Sequence, residues 1–248
     1  MNTKYKILLL LVLIVVPIFL SAQSPLPKVT LGLEETENPE DFVLSIKIVL
    51  LLTILTLAPS ILIMMTSFTR LIIVFHFLRT ALATQTVPSN QILVGLTLFI
   101  TFFIMKPVIN DINDDAIQPY LQEQITQQEA LAETKQPIKK FMLSQTRESD
   151  LSLFIDLNNE GRPDTPQDLS IINIIPAFLI SEIKTAFQIG FLLYLPMLLI
   201  DAIVASVLLS MGMFMLPPMM ISMPLKILLF VLVDGWHLIV ESLVRGFM

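Results

Sequence analysis

Ionisable residues stranded in apolar sequence are where this chain could do chemistry: Glu182 and Lys184, then Asp201, Lys226 and Asp234. Charges are expensive in such surroundings and usually face protein or water. Glu182 and Lys184 are two positions apart, so they point to different faces of a helix. Two functions fit these charges: pairs that lock helices together during assembly, or relay groups of an ion channel or proton-coupled transporter. Catalysis has little to work with. His76 and His237 lie far apart, and the chain carries no HExxH, no GxSxG and no phosphate-cradling glycine loop. With no cysteine there is neither a disulfide nor a thiolate metal site. We expect no enzyme, no cofactor and no metal centre.

The stretch from Met211 to Met223, MGMFMLPPMMISM, holds six of the 13 methionines and no charge. Pro217 and Pro218 cannot continue a helix, since two N–H donors are missing and the residue before each proline is pushed out of the α region. It reads as the tip of a helical hairpin, with Gly212 allowing close backbone approach. A water-facing turn would be polar. The tip is therefore either a core turn filled by flexible thioethers or the lining of a path closed by Met213, Phe214 and Met215. Met219 and Met220 complete it beyond the prolines.

Long apolar elements must position these residues. The 248 residues are 54% apolar and only 15% charged, which predicts an all-α integral membrane protein. Residues 1–22 read as a signal peptide, with Lys4 and Lys6 before an apolar core and Ser21-Ala22 at its end, or else as an uncleaved anchor. A polar linker, 23–45, is expected outside the membrane. Residues 46–109 predict a first helical hairpin and 170–248 a second, separated by a small, acidic, partly helical extracytoplasmic domain at 110–169. A continuous helix from Ile48 to Ala83 would be about 54 Å long, far beyond a hydrocarbon core of about 30 Å, so it must break, tilt or leave the bilayer. Arg70 and Arg79, with no acid nearby in sequence, mark the cytoplasmic side. The first helix is expected to run from Ile48 to Phe68, and the second from Ile92 to an end near Lys106-Pro107. Within the acidic domain a helix is expected over Pro119–Thr134, with Phe141, Met142, Leu151, Phe154, Ile155 and Leu157 to pack on.

If the second hairpin turns symmetrically at Pro217-Pro218, Asp201 and Asp234 lie level on neighbouring helices. Lys226 then sits about 12 Å along the helix from Asp201. At least one aspartate is expected to pair outside its hairpin, with Lys184 or with a neighbouring copy.

Several long runs, SFTRLIIV, SEIKTAFQIGF, MLPPMMIS and PLKILLFVLVDGW, resemble the signature regions of the FliP family of flagellar type III export gates, related to SctR-type injectisome proteins. The family usually reads ALGTQQTPPNQ where this chain has Ala83, Thr86, Val87 and Ser89, and often three methionines where this chain has Met213, Phe214 and Met215. The resemblance implies a homo-oligomer, a pentamer, assembled with FliQ and FliR into a helical ring and working with FlhB and FlhA. It implies an entry pore for unfolded flagellar substrates in the bacterial inner membrane and on its periplasmic side, within the basal body. Hairpins lying largely above the membrane plane, and energy from a separate ATPase and the proton-motive force, are also what the resemblance implies.

Overall fold

The computed structural model describes residues 39–158 and 168–248, and every regular element among them is helical. The expected signal peptide and most of the expected linker lie outside the described residues. Contacts divide the chain into two units, one ending at Thr53 and one running from Ile54 to Met248. The described part of the first unit is the start of α1 (Pro39–Met64), whose side chains over 43–53 are exposed and apolar but for Ser45, Lys47 and Thr53. Helix thus begins inside the stretch expected as linker, with Pro39 in its first turn, where a missing N–H costs nothing.

The predicted break between Ile48 and Ala83 falls at Met65–Ser67. There the Thr66 hydroxyl donates to the Ile63 carbonyl at 2.6 Å and accepts from the Phe68 N–H at 3.3 Å. A side chain competing locally for backbone groups ends one helix and begins the next. So α1 stops before the expected Phe68, and Phe68 opens α2 (Phe68–Ala81). Leu71, Val74, Phe75 and Leu78 repeat at helical spacing and are buried, the inward stripe of α2. They meet Leu93, Ile100 and Ile104 of α3 (Asn90–Ile112) and Ala186 and Met197 of α7 (Ile171–Ser210). Gly190 of α7 faces Phe77: a Cβ there would lie 2.5 Å from the ring, so α2 and α7 approach as closely as only glycine permits.

Helix α3 runs through Pro107 instead of ending there, and continues as a π-helical turn, Asn113–Ile117, into the short α4 (Gln118–Leu121). The helix expected over Pro119–Thr134 is therefore split. Its second part, α5 (Gln127–Gln145), starts at a capping box in which the Thr126 hydroxyl accepts from the Glu129 N–H and Glu129 accepts from the Thr126 N–H.

The acidic segment does not pack only on itself. Met142 of α5, wholly buried, joins Met65, Leu169, Ile174 and Phe178, with Phe141 and the α6 (Glu148–Asn158) residues Leu151 and Ile155 against them. Phe154 is half-buried and Leu157 exposed, so neither anchors that cluster. Polar bonds reinforce it. Ser181 of α7 donates to Asp150 at 2.7 Å and accepts from the Arg147 N–H at 3.0 Å.

Helix α7 has 40 residues, with Pro176 and Pro196 inside it, and spans about 60 Å. That is twice a hydrocarbon core. After the connection 211–217 come α8 (Pro218–Leu232) and α9 (Gly235–Arg245), bent by 64° at Asp234. Asp234 holds φ at 50°, and Gly235 follows because a Cβ there would lie 2.3 Å from the Phe230 ring. Val43–Met64, Asn90–Leu121 and Ile171–Ser210 are long and apolar enough to cross a membrane, and the bent pair α8–α9 could form a fourth span.

The connection after α2 carries two side chains in the left-handed region, Ala83 at φ 59° and Gln85 at φ 48°. A glycine at the first of these would relieve strain but lose a buried methyl. Gln85 is exposed and offers no such offset. Gln85→Gly is expected to stabilise the protein by up to about 1 kcal/mol, read as a higher thermal midpoint of the detergent-solubilised chain. An unchanged or lower midpoint would show that the side chain carries more than strain.

Candidate functional site

Helix α7 ends in a Schellman motif. The Gly212 N–H donates to the Leu209 carbonyl at 3.1 Å and the Met213 N–H to that of Leu208 at 3.0 Å. Gly212 stands at φ 75°, while a Cβ at that position would meet nothing within 4 Å. Within this chain its use is the left-handed turn, since no neighbour there requires a glycine. Beyond it the side chains project outward: Met213 is 40% exposed, Phe214 77% and Met215 96%. Within its own chain the tip is not a core turn.

Pro217 is extended, as a residue before proline must be, and Pro218 opens α8. The prolines therefore start the second helix and are not the apex, which lies near Phe214. Met219 and Met220 stand exposed in the first turn of α8.

Moving the apex changes every facing pair between α7 and α8. Lys226, 2% exposed, reaches Asp201 with its Nζ 2.6 Å from Oδ2, and the Ser222 hydroxyl donates to Oδ1 at 2.5 Å. The expectation that Lys226 sits too far from Asp201 is overturned, because it assumed a turn centred on the prolines. Asp234 does not lie beside Asp201 either; it is exposed at the α8–α9 bend. The two carboxylates form no relay pair. Among the described residues no ion pair involves Asp234 or Lys184, and Lys184 is exposed.

A second pair lies deep in the chain. Glu182 is fully buried and Arg70 is 5% exposed. The guanidinium grips the carboxylate through both Nη2 and Nε, the latter at 2.9 Å from Oε2. Arg70 also donates to Gln145 at 3.0 Å and to the Gly246 carbonyl at 3.3 Å, and stacks 3.8 Å from the Phe247 ring centroid. One side chain of α2 thus joins α5, α7 and the residues after α9. Arg79 is buried too, donating to Asn90 at 2.6 Å and to Pro88 at 3.3 Å, with His76 Nδ1 3.1 Å away. Both arginines serve the protein interior, so the orientation drawn from them as loop cations loses its physical basis.

His237 lies on the exposed face of α9 with Glu241 and Arg245. Among the described residues no group of three or more histidines and carboxylates could hold a metal ion.

The FliP family model matches residues 51–243, a span containing α2 to α8, the Arg70–Glu182 and Asp201–Lys226 pairs and the whole 211–217 connection. The chain belongs to the FliP family. The flagellar biosynthetic protein FliP of Bacillus subtilis (strain 168) is 53% identical over 212 residues, covering 86% of this chain and 96% of that protein. That of Pectobacterium carotovorum subsp. carotovorum is 50% identical over 208 residues, 84% of this chain and 81% of its own length. FliP of Aquifex aeolicus (strain VF5) is 49% identical over 205 residues, covering 82% and 86%. The matched FliP region begins inside α1, so the family resemblance rests on the helices that build the connection and its supports.

Arg70→Met would leave the Glu182 carboxylate buried without its partner, at an expected cost of about 3–5 kcal/mol. The double variant Arg70→Met/Glu182→Leu should recover most of that loss, because an apolar pair needs no compensation. Yield and thermal midpoint of the purified protein check this. A double variant no better than the single one would show that the Gln145, Gly246 and Phe247 contacts, not the charge pair, carry the stability.

Proposed function

We infer that this chain is a membrane subunit of the flagellar protein export apparatus, and that its 211–217 connection helps to form the entry pore for unfolded substrates. Membership of the FliP family over residues 51–243, among relatives named flagellar biosynthetic proteins, carries the assignment. One chain cannot enclose a pore. A ring of copies, a pentamer joined by FliQ and FliR and flanked by FlhB and FlhA, would bring several copies of Met213, Phe214 and Met215 together.

Physical chemistry supports a seal at that place. Between Asp201 and Lys226 the chain carries no charge, and the exposed tip offers thioethers and one aromatic ring. Such a lining has few strong hydrogen-bond partners for a passing peptide, while flexible methionines can close on one another when no substrate is present. Replacing Met213, Phe214 and Met215 together by alanine is expected to make resting cells leak small ions while export persists. A tight triple variant would mean that these side chains fill space between subunits and seal nothing.

The acidic segment, on this proposal, lies on the periplasmic side and serves assembly, since its apolar cluster is built with Met65, Ile174 and Phe178. Glu182, Lys184, Asp201, Lys226 and Asp234 then act as assembly charges, three of them (Glu182, Asp201 and Lys226) within the chain's own ion pairs and Lys184 and Asp234 at surfaces open to neighbours. Deleting 111–168 should abolish recovery of the assembled complex from detergent. Intact complexes, or labelling of the segment by a reagent confined to the cytoplasm, would refute this placement.

A further inference from the structure

Thirteen methionines are present, and those among the described residues differ widely in burial. Met142 is 0% exposed, Met65 and Met105 7% and Met197 8%, whereas Met215 is 96% exposed, Met220 68%, Met211 62%, Met219 50% and Met213 40%. Met64 and Met248 are exposed elsewhere, at 46% and 88%, but the five at the tip fall within ten residues, 211–220, among which no acid, base or amide side chain intervenes. We propose that Met211, Met213, Met215, Met219 and Met220 form a site of reversible oxidation by small peroxides, and that oxidation there opens the seal. The second half of the proposal rests on the connection being that seal.

The chemistry is balanced with hydrogen peroxide as the oxidant. A thioether lone pair attacks one peroxide oxygen, the O–O bond breaks and an S–O bond forms. The departing hydroxide takes the proton from the transferred oxygen and leaves as water. Sulfur loses two electrons and the peroxide gains them, giving the sulfoxide. No acid or thiolate is needed, so exposure decides which methionines react. The consequence is set by the surroundings. A sulfoxide is polar and accepts hydrogen bonds, and the tip offers it no side-chain donor. Only water or the N–H groups of a passing chain can satisfy it. Thioethers that close a dry gap would become dipoles that hydrate it.

Membrane vesicles carrying the assembled apparatus provide the test, with hydrogen peroxide as the probe, an ion-sensitive dye for leak, and peptide mass spectrometry for oxygen uptake. The 211–220 methionines are expected to gain oxygen at least ~10-fold faster than Met142 and Met65. Leak should rise several-fold with that uptake, and methionine sulfoxide reductases should reverse both. Met248, 88% exposed and outside the connection, is the internal control. It should oxidise as readily, and Met248→Leu should leave the peroxide response intact, whereas leucine at all five tip positions should abolish it. Uptake at the tip no faster than at Met142 would overturn the site. Tip oxidation without added leak, in a chain whose Met213/Phe214/Met215 alanine variant does leak, would overturn the switch and leave the seal standing. A tight alanine variant with an oxidation-insensitive vesicle would remove both.

Discussion

A buried carboxylate must be met by a cation, and at Glu182 that cation comes from Arg70, 112 positions away in the chain. Much of the arrangement follows from this requirement. Helix α2 has to lie against α7 at one height, which brings Gly190 under Phe77 and stacks the apolar stripe of α2 on Ala186. The guanidinium has donors left after binding Glu182. It places them on Gln145 and on the Gly246 carbonyl, so the end of α5 and the residues after α9 are drawn to the same point. An unpaired charge there would cost several kcal/mol. That cost makes the register of α2 on α7 specific in a way that an apolar contact alone would not.

At the other end of α7 a second buried charge does similar work at shorter range. Lys226 of α8 finds Asp201 of α7, and Ser222 takes the remaining carboxylate oxygen. With both charges satisfied between the helices, the stretch that joins them is free of any need for compensation. It can therefore consist of methionine, phenylalanine and leucine standing in the open. The Schellman turn at Gly212 and the extended Pro217 direct these side chains outward. An exposed apolar group of this size is costly for a lone chain in water and reasonable for one that meets copies of itself.

The long α1 and the outer face of α7 pose the same question on a larger scale. Side chains such as Leu51, Leu55, Phe191 and Leu199 are more than half exposed. Lipid or neighbouring subunits must cover them, and a subunit of a membrane assembly has both.

Local chemistry was legible in the residues themselves. The apolar runs, the break required between Ile48 and Ala83 and a turn within the Met211–Met223 stretch all follow from composition, length and backbone rules that act within a few residues. The family, too, could be recognised from runs such as SEIKTAFQIGF and MLPPMMIS. Partners brought together from distant positions were not legible. Arg70 read as a loop cation because no acid is near it in sequence, and Asp201 read as stranded because the apex was placed on the prolines. A proline pair says only that a helix cannot continue through it; it equally allows a helix to begin there, as α8 does. Shifting the apex to Phe214 changes which side chains face each other, and with it the pairing of each charge. The amino-acid sequence by itself determined which residues are expensive to bury and where helices must stop. Tertiary structure alone decided which charge answers which, because the helical register that brings them together is fixed by contacts between distant positions, the Arg70–Glu182 pair and the Gly190–Phe77 approach together, and not by any local preference.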